Sequence, residues 1–247
     1  MSDLIIKNGE IIDGTGKPGY KADVALEKDK IVSISRIGSI SSEKVLDVSG
    51  LVVAPGFVDI HSHSDYYLLI DPRAESKIMQ GVTTEVGGNC GYSAAPIFGD
   101  LLRERQKCYQ EQFDIYLNWT DMSGYYEKLN IKGSAVNYAP LLGHNTIRAS
   151  VMGYEARIPE QNEIKKMELL VLEGLKQGAF GMSVGLIYPP SCYSETEELI
   201  RLYKVVKDCD SLFTCHMRSE GNKLLESIEE AIRIARETGV RTQISHL

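Results

Sequence analysis

The spacing of hydrophobic and polar residues changes near residue 54. Before it, short β-branched and apolar runs are separated by glycine turns or charged stretches such as residues 27–30. These runs predict strands at residues 4–7, 10–13, 23–26, 30–34, 45–48 and 51–54. The pattern indicates a small β module over residues 1–54.

From residue 55 onward, predicted strands alternate with predicted helices. Apolar runs predict strands at residues 57–60, 82–86, 135–142, 180–186, 212–216 and 242–246. Helical spacing appears at residues 161–177 and 222–238, and Ser194 with Glu197 resembles a capping box that opens another helix. Strands and helices in this alternation predict parallel βα units in one domain over residues 55–247.

Residues with metal-binding or polar chemistry lie at the ends of these strands or shortly after them. In chain order they are His61 and His63, Cys90, His144, Tyr188, His216 and His246, and they include all five histidines. Strand ends that converge on one point are typical of a closed barrel. A doubly wound sheet would instead place its site at one switch point with a phosphate-binding turn, and residues 87–91 lack that fingerprint. We therefore predict an α/β fold of the (β/α)8 TIM-barrel type.

The barrel predicted here is incomplete, with about six βα units. The sequence stops at Ser245-His246-Leu247, within a predicted strand. An open parallel edge is unfavourable because parallel sheets are normally buried. We therefore expect the chain to be the N-terminal part of a longer protein.

Composition narrows the possible partners and location. The net charge of −7 argues against a nucleic-acid or polybasic membrane surface. No apolar run approaches the roughly 18 residues that a membrane helix needs. The five cysteines are odd in number and scattered, so we expect no disulfide framework and a reduced, cytoplasmic setting.

The first strand end carries the pair that suggests a metal. Residues i and i+2 of a strand share a face, so His61 and His63 would present two neutral imidazoles side by side. Asp65 and Glu85 could orient such imidazoles or be solvated loop charges. After His216, Arg218 and Glu220 could meet a substrate or pair with each other. The residues alone leave these alternatives open.

Several segments carry a family resemblance. Residues 54–63, Ala-Pro-Gly-Phe-Val-Asp-Ile-His-Ser-His, resemble the first-strand signature of the amidohydrolase superfamily, and residues 13–16 with the strands before them resemble its β-sandwich half. More narrowly, the chain resembles the D-aminoacylase (N-acyl-D-amino-acid deacylase) family. The segments that carry this likeness are residues 88–93, 143–148, 185–190, 216–220 and 244–247.

The resemblance implies a zinc centre. Cys90, His216 and His246 would form a tight site, and His61 with His63 a second, weaker or vacant one. Many relatives in the superfamily bridge two metals with a carboxylated lysine on the fourth strand. The predicted fourth strand here has no lysine, which favours the cysteine-containing family.

The resemblance also implies a reaction, namely hydrolysis of the amide of a small N-acyl-D-amino acid by water that zinc activates. Tyr188 would bind the substrate carboxylate, or else be a packed aromatic. Arg218 would meet the substrate, and His144 would contact it or cap the next helix. The expected catalytic aspartate belongs to an eighth strand, beyond Leu247, so we expect the chain alone to be inactive.

Two other functions remain possible at this point. One is hydrolysis of a cyclic amide, as in dihydropyrimidinase or dihydroorotase, against which the missing lysine argues. The other is a non-catalytic binding protein that keeps the ligands but lacks the aspartate.

Overall fold

The computed structural model describes residues 2–36, 38 and 41–246, and it divides the chain into two compact units, Met1–Phe57 and Val58–Leu247. The described residues of the first unit form a single five-stranded sheet. Its strands are β1 (Leu4–Ile11), β2 (Tyr20–Glu27), β3 (Lys30–Ser35), β4 (Val45–Asp47) and β5 (Val52–Val53). The order is β3-β2-β1-β4, and β5 also pairs with β1. The β-sandwich stays a prediction.

One long strand replaces the two that were predicted at residues 4–7 and 10–13. The pairing of β1 with β2 shifts register between Ile6 and Gly9, which marks a bulge. Within it, Asn8 adopts a left-handed conformation with φ 65°, and its backbone N–H donates to Asp23 Oδ1 at 3.1 Å. The buried Asp23 carboxylate therefore lets the strand continue through the irregularity.

The second unit contains a six-stranded sheet with helices between its strands. The strands are β6 (Phe57–Asp59), β7 (Val82–Gly87), β8 (Asn137–Gly143), β9 (Gly181–Gly185), β10 (Leu212–His216) and β11 (Arg241–Ile244). The helices are α1 (Tyr67–Ile70), α2 (Glu75–Ile78), α3 (Gly99–Phe113), α4 (Met122–Lys132), α5 (His144–Met152), α6 (Gln161–Lys176), α7 (Thr196–Asp208) and α8 (Leu224–Thr238), with a 3₁₀ turn at Ser191–Tyr193.

The order of the strands in this sheet decides its architecture. It runs β11-β10-β9-β8-β7-β6, which is the order along the chain, and the pairs from β7 to β11 are parallel. A doubly wound sheet reverses its order at a switch point, whereas a barrel never does. The prediction of a TIM-type barrel is confirmed as a partial barrel.

Apolar side chains between the sheet and its outer helices hold this unit together. Met167 and Val171 of α6 and Tyr203 of α7 have no exposed surface, and neither have Met182 of β9 and Phe213 of β10. Burying a side chain of this size contributes about 1.5–3 kcal/mol. The core therefore fixes the strands whose ends carry the polar residues.

The capping box predicted at Ser194 is wrong. Helix α7 begins at Thr196 with Glu195 as its N-cap, and the Ser194 hydroxyl donates to the Ser191 carbonyl at 2.6 Å. The 3₁₀ turn before the helix uses the hydroxyl, so it is not free to cap. A capping box does open α6, formed by Glu160 and Glu163. No helix among the described residues is both long and apolar enough to cross a membrane.

Candidate metal centre

Side chains from the ends of three strands meet around Cys90. Its Sγ lies 3.4 Å from His61 Nε2, just after β6, and 3.9 Å from His246 Nε2, just after β11. The three ligand atoms lie within 4.8 Å of one another. Thiolate sulfur and imidazole nitrogen are the donors that zinc prefers.

A second group of possible ligands shares His246 with the first. His216, Glu220 and His246 offer donor atoms within 4.8 Å of one another. Glu220 Oε1 lies 3.7 Å from His216 Nε2 and contacts His246 Nδ1. Both ring nitrogens of His216 are buried without a hydrogen-bond partner. Since buried polar atoms are rarely left unpaired, an unpaired nitrogen of His216 fits a site that binds a metal ion.

This grouping differs from the one that the sequence resemblance implied. Cys90 was expected to group with His216 and His246, whereas the structure places His61 and His246 beside it. His63 is exposed, and its ring centroid lies 5.3 Å from that of His61. Leu247, the last residue of the 244–247 motif, lies outside the described residues.

Burial and neighbouring charges shift the pKa values of three candidate ligands. Burial lowers the pKa of His61, and the neighbouring His63 and His246 lower it further. Burial also lowers the pKa of His216, although Glu220 opposes the effect. Burial raises the pKa of the Cys90 thiol to about 11. Without a metal, the thiol is therefore neutral at pH 7, and coordination would deprotonate it.

The backbone turn that carries Cys90 is tightly packed. Cys90 itself has a left-handed φ of 53°, and Gly91 follows with φ 79°. A Cβ at Gly91 would lie 1.7 Å from Asn145 Oδ1, so only glycine fits there. On β9, the Ser183 hydroxyl accepts from the Gly91 N–H at 2.9 Å and donates to the Gly88 carbonyl. The neighbouring strand thus fixes the position of the sulfur.

Two buried acids hold backbone turns rather than imidazoles. Asp65 Oδ2 accepts from the Gly88 N–H at 3.1 Å, and burial raises the pKa of this carboxyl. Glu85 has no exposed surface, and its Oε2 accepts from the hydroxyls of Ser62 and Ser64 on either side of His63. Neither acid is a solvated loop charge. Both stabilise the turns that carry candidate ligands.

Tyr188 lies beside the candidate ligands. Its ring centroid is 4.9 Å from that of His216, and 37% of the residue is exposed. The Tyr92 ring centroid lies 5.8 Å from that of Tyr188. Burial raises the pKa of the Tyr188 hydroxyl, which therefore stays a hydrogen-bond donor at neutral pH.

The other two predicted substrate-binding residues have protein partners. His144 is fully buried, and its ring nitrogens contact Ser191 Oγ at 2.5 Å and Glu198 Oε1 at 2.9 Å. It is the first residue of α5, and no side chain caps that helix. Arg218 pairs through two 2.9 Å contacts with Glu230 of α8, not with Glu220. The contacts of His144 and Arg218 thus give no support to a role in substrate binding.

Sequence reasoning missed two residues that shape the site. Ser183 fixes the Cys90 turn from β9, and Glu198 of α7 anchors His144. A signal for Ser183 was present, because the alternate β9 residues Gly181, Ser183 and Gly185 are all small and leave one face open to another backbone. No local pattern distinguished Glu198, because it lies in the first turn of α7 next to another acidic residue, Glu197, and acidic residues are common in the first turn of a helix.

Comparison with known proteins shows which proteins this chain resembles. D-aminoacylase of Alcaligenes xylosoxydans xylosoxydans is 39% identical to this chain over an alignment of 251 residues. The alignment covers 99% of this chain and 50% of the relative. A solved D-aminoacylase with a binuclear metal centre superposes on this chain with a TM-score of 0.92 at 38% identity. The match covers 100% of this chain and 52% of the D-aminoacylase.

A related solved structure extends the likeness. N-acyl-D-glutamate deacylase from Bordetella bronchiseptica, in complex with zinc and a phosphonate mimic of the tetrahedral intermediate, has a TM-score of 0.89 at 33% identity. That match covers 98% of this chain and 50% of the deacylase. The chain spans about half the length of the curated relatives it matches. The resemblance to D-aminoacylases is confirmed. Since the amidohydrolase family model also matches residues 44–199, more than half of the sequence, the chain belongs to the amidohydrolase family.

Proposed function

We propose that this chain carries the metal-binding part of a zinc-dependent hydrolase that cleaves the amide of N-acyl-D-amino acids, releasing a carboxylate and a D-amino acid. The observation that carries the proposal is the meeting of Cys90 with His61 and His246 at the strand ends. The relatives named above act on this class of substrate, and one of them binds zinc. The partner is thus a small N-acylated amino acid.

Cys90 and His246 belong both to the zinc site that the resemblance implied and to the first group of ligands in the structure, so we assign both to the proposed zinc site. The ring centroids of His61 and His216 lie 5.3 and 4.4 Å from that of His246, so each is placed to add a ligand. His63 would serve a second, weaker site together with His61. When bound, zinc acts as a Lewis acid toward the acyl carbonyl and lowers the pKa of water.

The remaining chemistry falls to protein groups. Tyr188, beside His216 and partly exposed, would donate its hydroxyl hydrogen to the substrate carboxylate. Proton transfer to the leaving amine needs a general acid, which we assign to an aspartate beyond residue 247.

All five cysteines are free thiols in the structure, which supports the proposed cytoplasmic setting.

The test compares two cysteine variants in the full product of the gene. After chelation and reconstitution with zinc, Cys90→Ala should lose bound zinc by elemental analysis and lose hydrolysis of an N-acetyl-D-amino acid. Cys108→Ala, which removes an exposed thiol, is the matched control and should keep both. The L-enantiomer of the substrate should react much more slowly. Full zinc and full activity in Cys90→Ala would show that the cysteine is not a ligand.

The same assay separates the two alternatives. A cyclic-amide hydrolase would cleave dihydrouracil or a hydantoin in preference to N-acetyl-D-amino acids. No lysine lies in β9, Gly181–Gly185, so nothing there supports that alternative. A non-catalytic binding protein would take up zinc and cleave neither class of substrate.

A further inference from the structure

A chain of buried hydrogen bonds leads from α7 to the turn that carries Tyr188. His144 contacts Glu198 through Nε2 and Ser191 Oγ through Nδ1, and Ser191 Oγ lies 2.6 Å from Asn145 Oδ1. His144 and Ser191 have no exposed surface. A serine–histidine–glutamate series of this kind resembles a nucleophilic triad, but no substrate can reach it. Its role is therefore internal.

The contacts of Asn145 fix the direction of its side-chain amide. Its Nδ2 faces two carbonyl oxygens, those of Tyr188 at 3.1 Å and Pro189 at 3.3 Å. Its Oδ1 faces the Gly185 N–H at 3.3 Å. The flipped amide would set an oxygen against two carbonyls, so only one orientation satisfies all three contacts. Oδ1 is thus an acceptor, and the Ser191 hydroxyl must donate its hydrogen to it.

This assignment determines the hydrogens on His144. With its own hydrogen committed, Ser191 Oγ can only accept, so His144 Nδ1 carries a hydrogen. Nε2 faces Glu198 Oε1, which also accepts from Arg148 Nε at 3.1 Å. Burial works to raise the pKa of Glu198, but its hydrogen bonds to His144 and Arg148 and the permanent charge of the Arg148 guanidinium hold the pKa below its ordinary value. An ionised carboxylate accepts only, so Nε2 carries a hydrogen as well.

We propose that His144 is a buried imidazolium whose two N–H groups link the turn after β9 to Glu198 of α7 and thereby position Tyr188 beside His216. His144 is in this view a positioning residue, because it touches no reacting atom. Arg148 stabilises the same turn, since its Nη1 donates to the Pro190 carbonyl at 3.1 Å. The kinetic part of this inference rests on the proposed function, in which Tyr188 meets the substrate.

The protonation state is tested by nitrogen-15 NMR of the histidine rings in the full gene product. We expect both His144 nitrogens to show protonated shifts at pH 7, and the Nδ1 signal to move in Ser191→Ala, which also assigns it. One protonated and one bare nitrogen would overturn the proposal. The protonation state is read from the wild-type protein, so this result does not depend on the folding of a variant.

The positioning role is tested without activity through the His216 ring protons, which sense the Tyr188 ring. Ser191→Ala should shift these proton signals, because it breaks the link to Asn145. The matched control is Ser227→Ala, which should leave them unchanged. Ser227 is buried, and among the described residues its hydroxyl has one hydrogen bond, to the Lys223 carbonyl at 2.9 Å. Equal signals in wild type and Ser191→Ala would refute the positioning role even if the enzyme proves to be a deacylase.

A double-mutant cycle then tests the kinetic consequence. Ser191→Ala should lower kcat/KM at least about tenfold in a wild-type background, since small misplacements of a binding group are costly. In a Tyr188→Phe background the same change should add little, because its route of action is already removed. An equal loss in both backgrounds would overturn the link to Tyr188. If Tyr188→Phe alone has no effect, the substrate role proposed for Tyr188 fails, while the NMR result still decides the imidazolium.

Discussion

The close approach of β9 to the Cys90 turn makes Gly185→Ala an informative perturbation. A Cβ at Gly185 would lie 2.2 Å from the Cys90 carbonyl oxygen and 2.9 Å from Tyr188 Cδ2. Gly185 is not one of the glycines with positive φ, so alanine adopts its backbone conformation without strain. The substitution therefore acts only through steric overlap between the new Cβ and its neighbours.

The size of the effect follows from these contacts. Real Cβ atoms almost never come within 3.0 Å of another heavy atom, so the Cys90 carbonyl must retreat by at least about 0.8 Å. Overpacking of a filled core costs about 1–3 kcal/mol of folding free energy. A catalytic geometry displaced by about 1 Å loses about 100-fold in rate. We expect weaker zinc binding and a rate loss of that order.

The assay measures kcat/KM, zinc affinity by competition with a chromophoric chelator, and unfolding in urea. Gly221→Ala is the matched control, because a Cβ there meets nothing within 4 Å and its φ is likewise not positive. Gly221→Ala should behave as wild type in all three measurements. If Gly185→Ala keeps wild-type zinc affinity and rate, the Cys90 turn is not held in place by β9, and the reasoning fails.

Two further predictions concern protons. At pH 8 the His61 and His216 imidazoles, whose pKa burial lowers, are neutral, while the Cys90 thiol, with its pKa raised to about 11 by burial, is protonated. Thiolate coordination should therefore release about one proton per zinc ion from Cys90, in addition to any proton released by zinc-bound water. Calorimetry in buffers of different ionisation enthalpy measures the number of protons released, and Cys90→Ala should lower this number by about one; equal numbers in wild type and Cys90→Ala would argue against thiolate coordination. The second concerns Glu163, whose pKa the Arg157 guanidinium lowers to about 2. A carboxyl with a depressed folded-state pKa stabilises the fold above its unfolded-state pKa, and that stability is lost as pH falls toward 2. Glu163→Gln should therefore cost about 1 kcal/mol at pH 7, since Arg157 is partly exposed, and the difference from wild type should shrink below about pH 4.5 in urea titrations. A difference that does not change with pH would show that the ion pair is not its source.

The convergence of the candidate ligands could be predicted because it follows from local pattern and one rule. His61, His216 and His246 all follow runs that read as strands, and parallel strands of a barrel end at the same edge. Strand positions were close to those observed, since buried parallel strands are continuous apolar runs. This part of the fold depends on periodicity, which a single sequence displays.

The pairing of charged and polar groups could not be predicted in the same way. Arg218 takes Glu230 rather than Glu220 as its partner, because α8 turns Glu230 back toward the strand end. Glu220 is instead left to contact His246. Such choices depend on the rotation of a helix about its axis and on the path of loops, which spacing along the chain does not encode.

The missing lysine of the fourth strand and the presence of Cys90 have one structural origin. Gly181, Ser183 and Gly185 share a face of β9, and the Cys90 turn occupies the space beside it. The Ser183 hydroxyl already bonds to both ends of that turn. A lysine side chain at residue 183 would need the volume that the turn fills, and it would remove both bonds. The strand can therefore either supply a bridging lysine or support a cysteine-bearing turn, but not both.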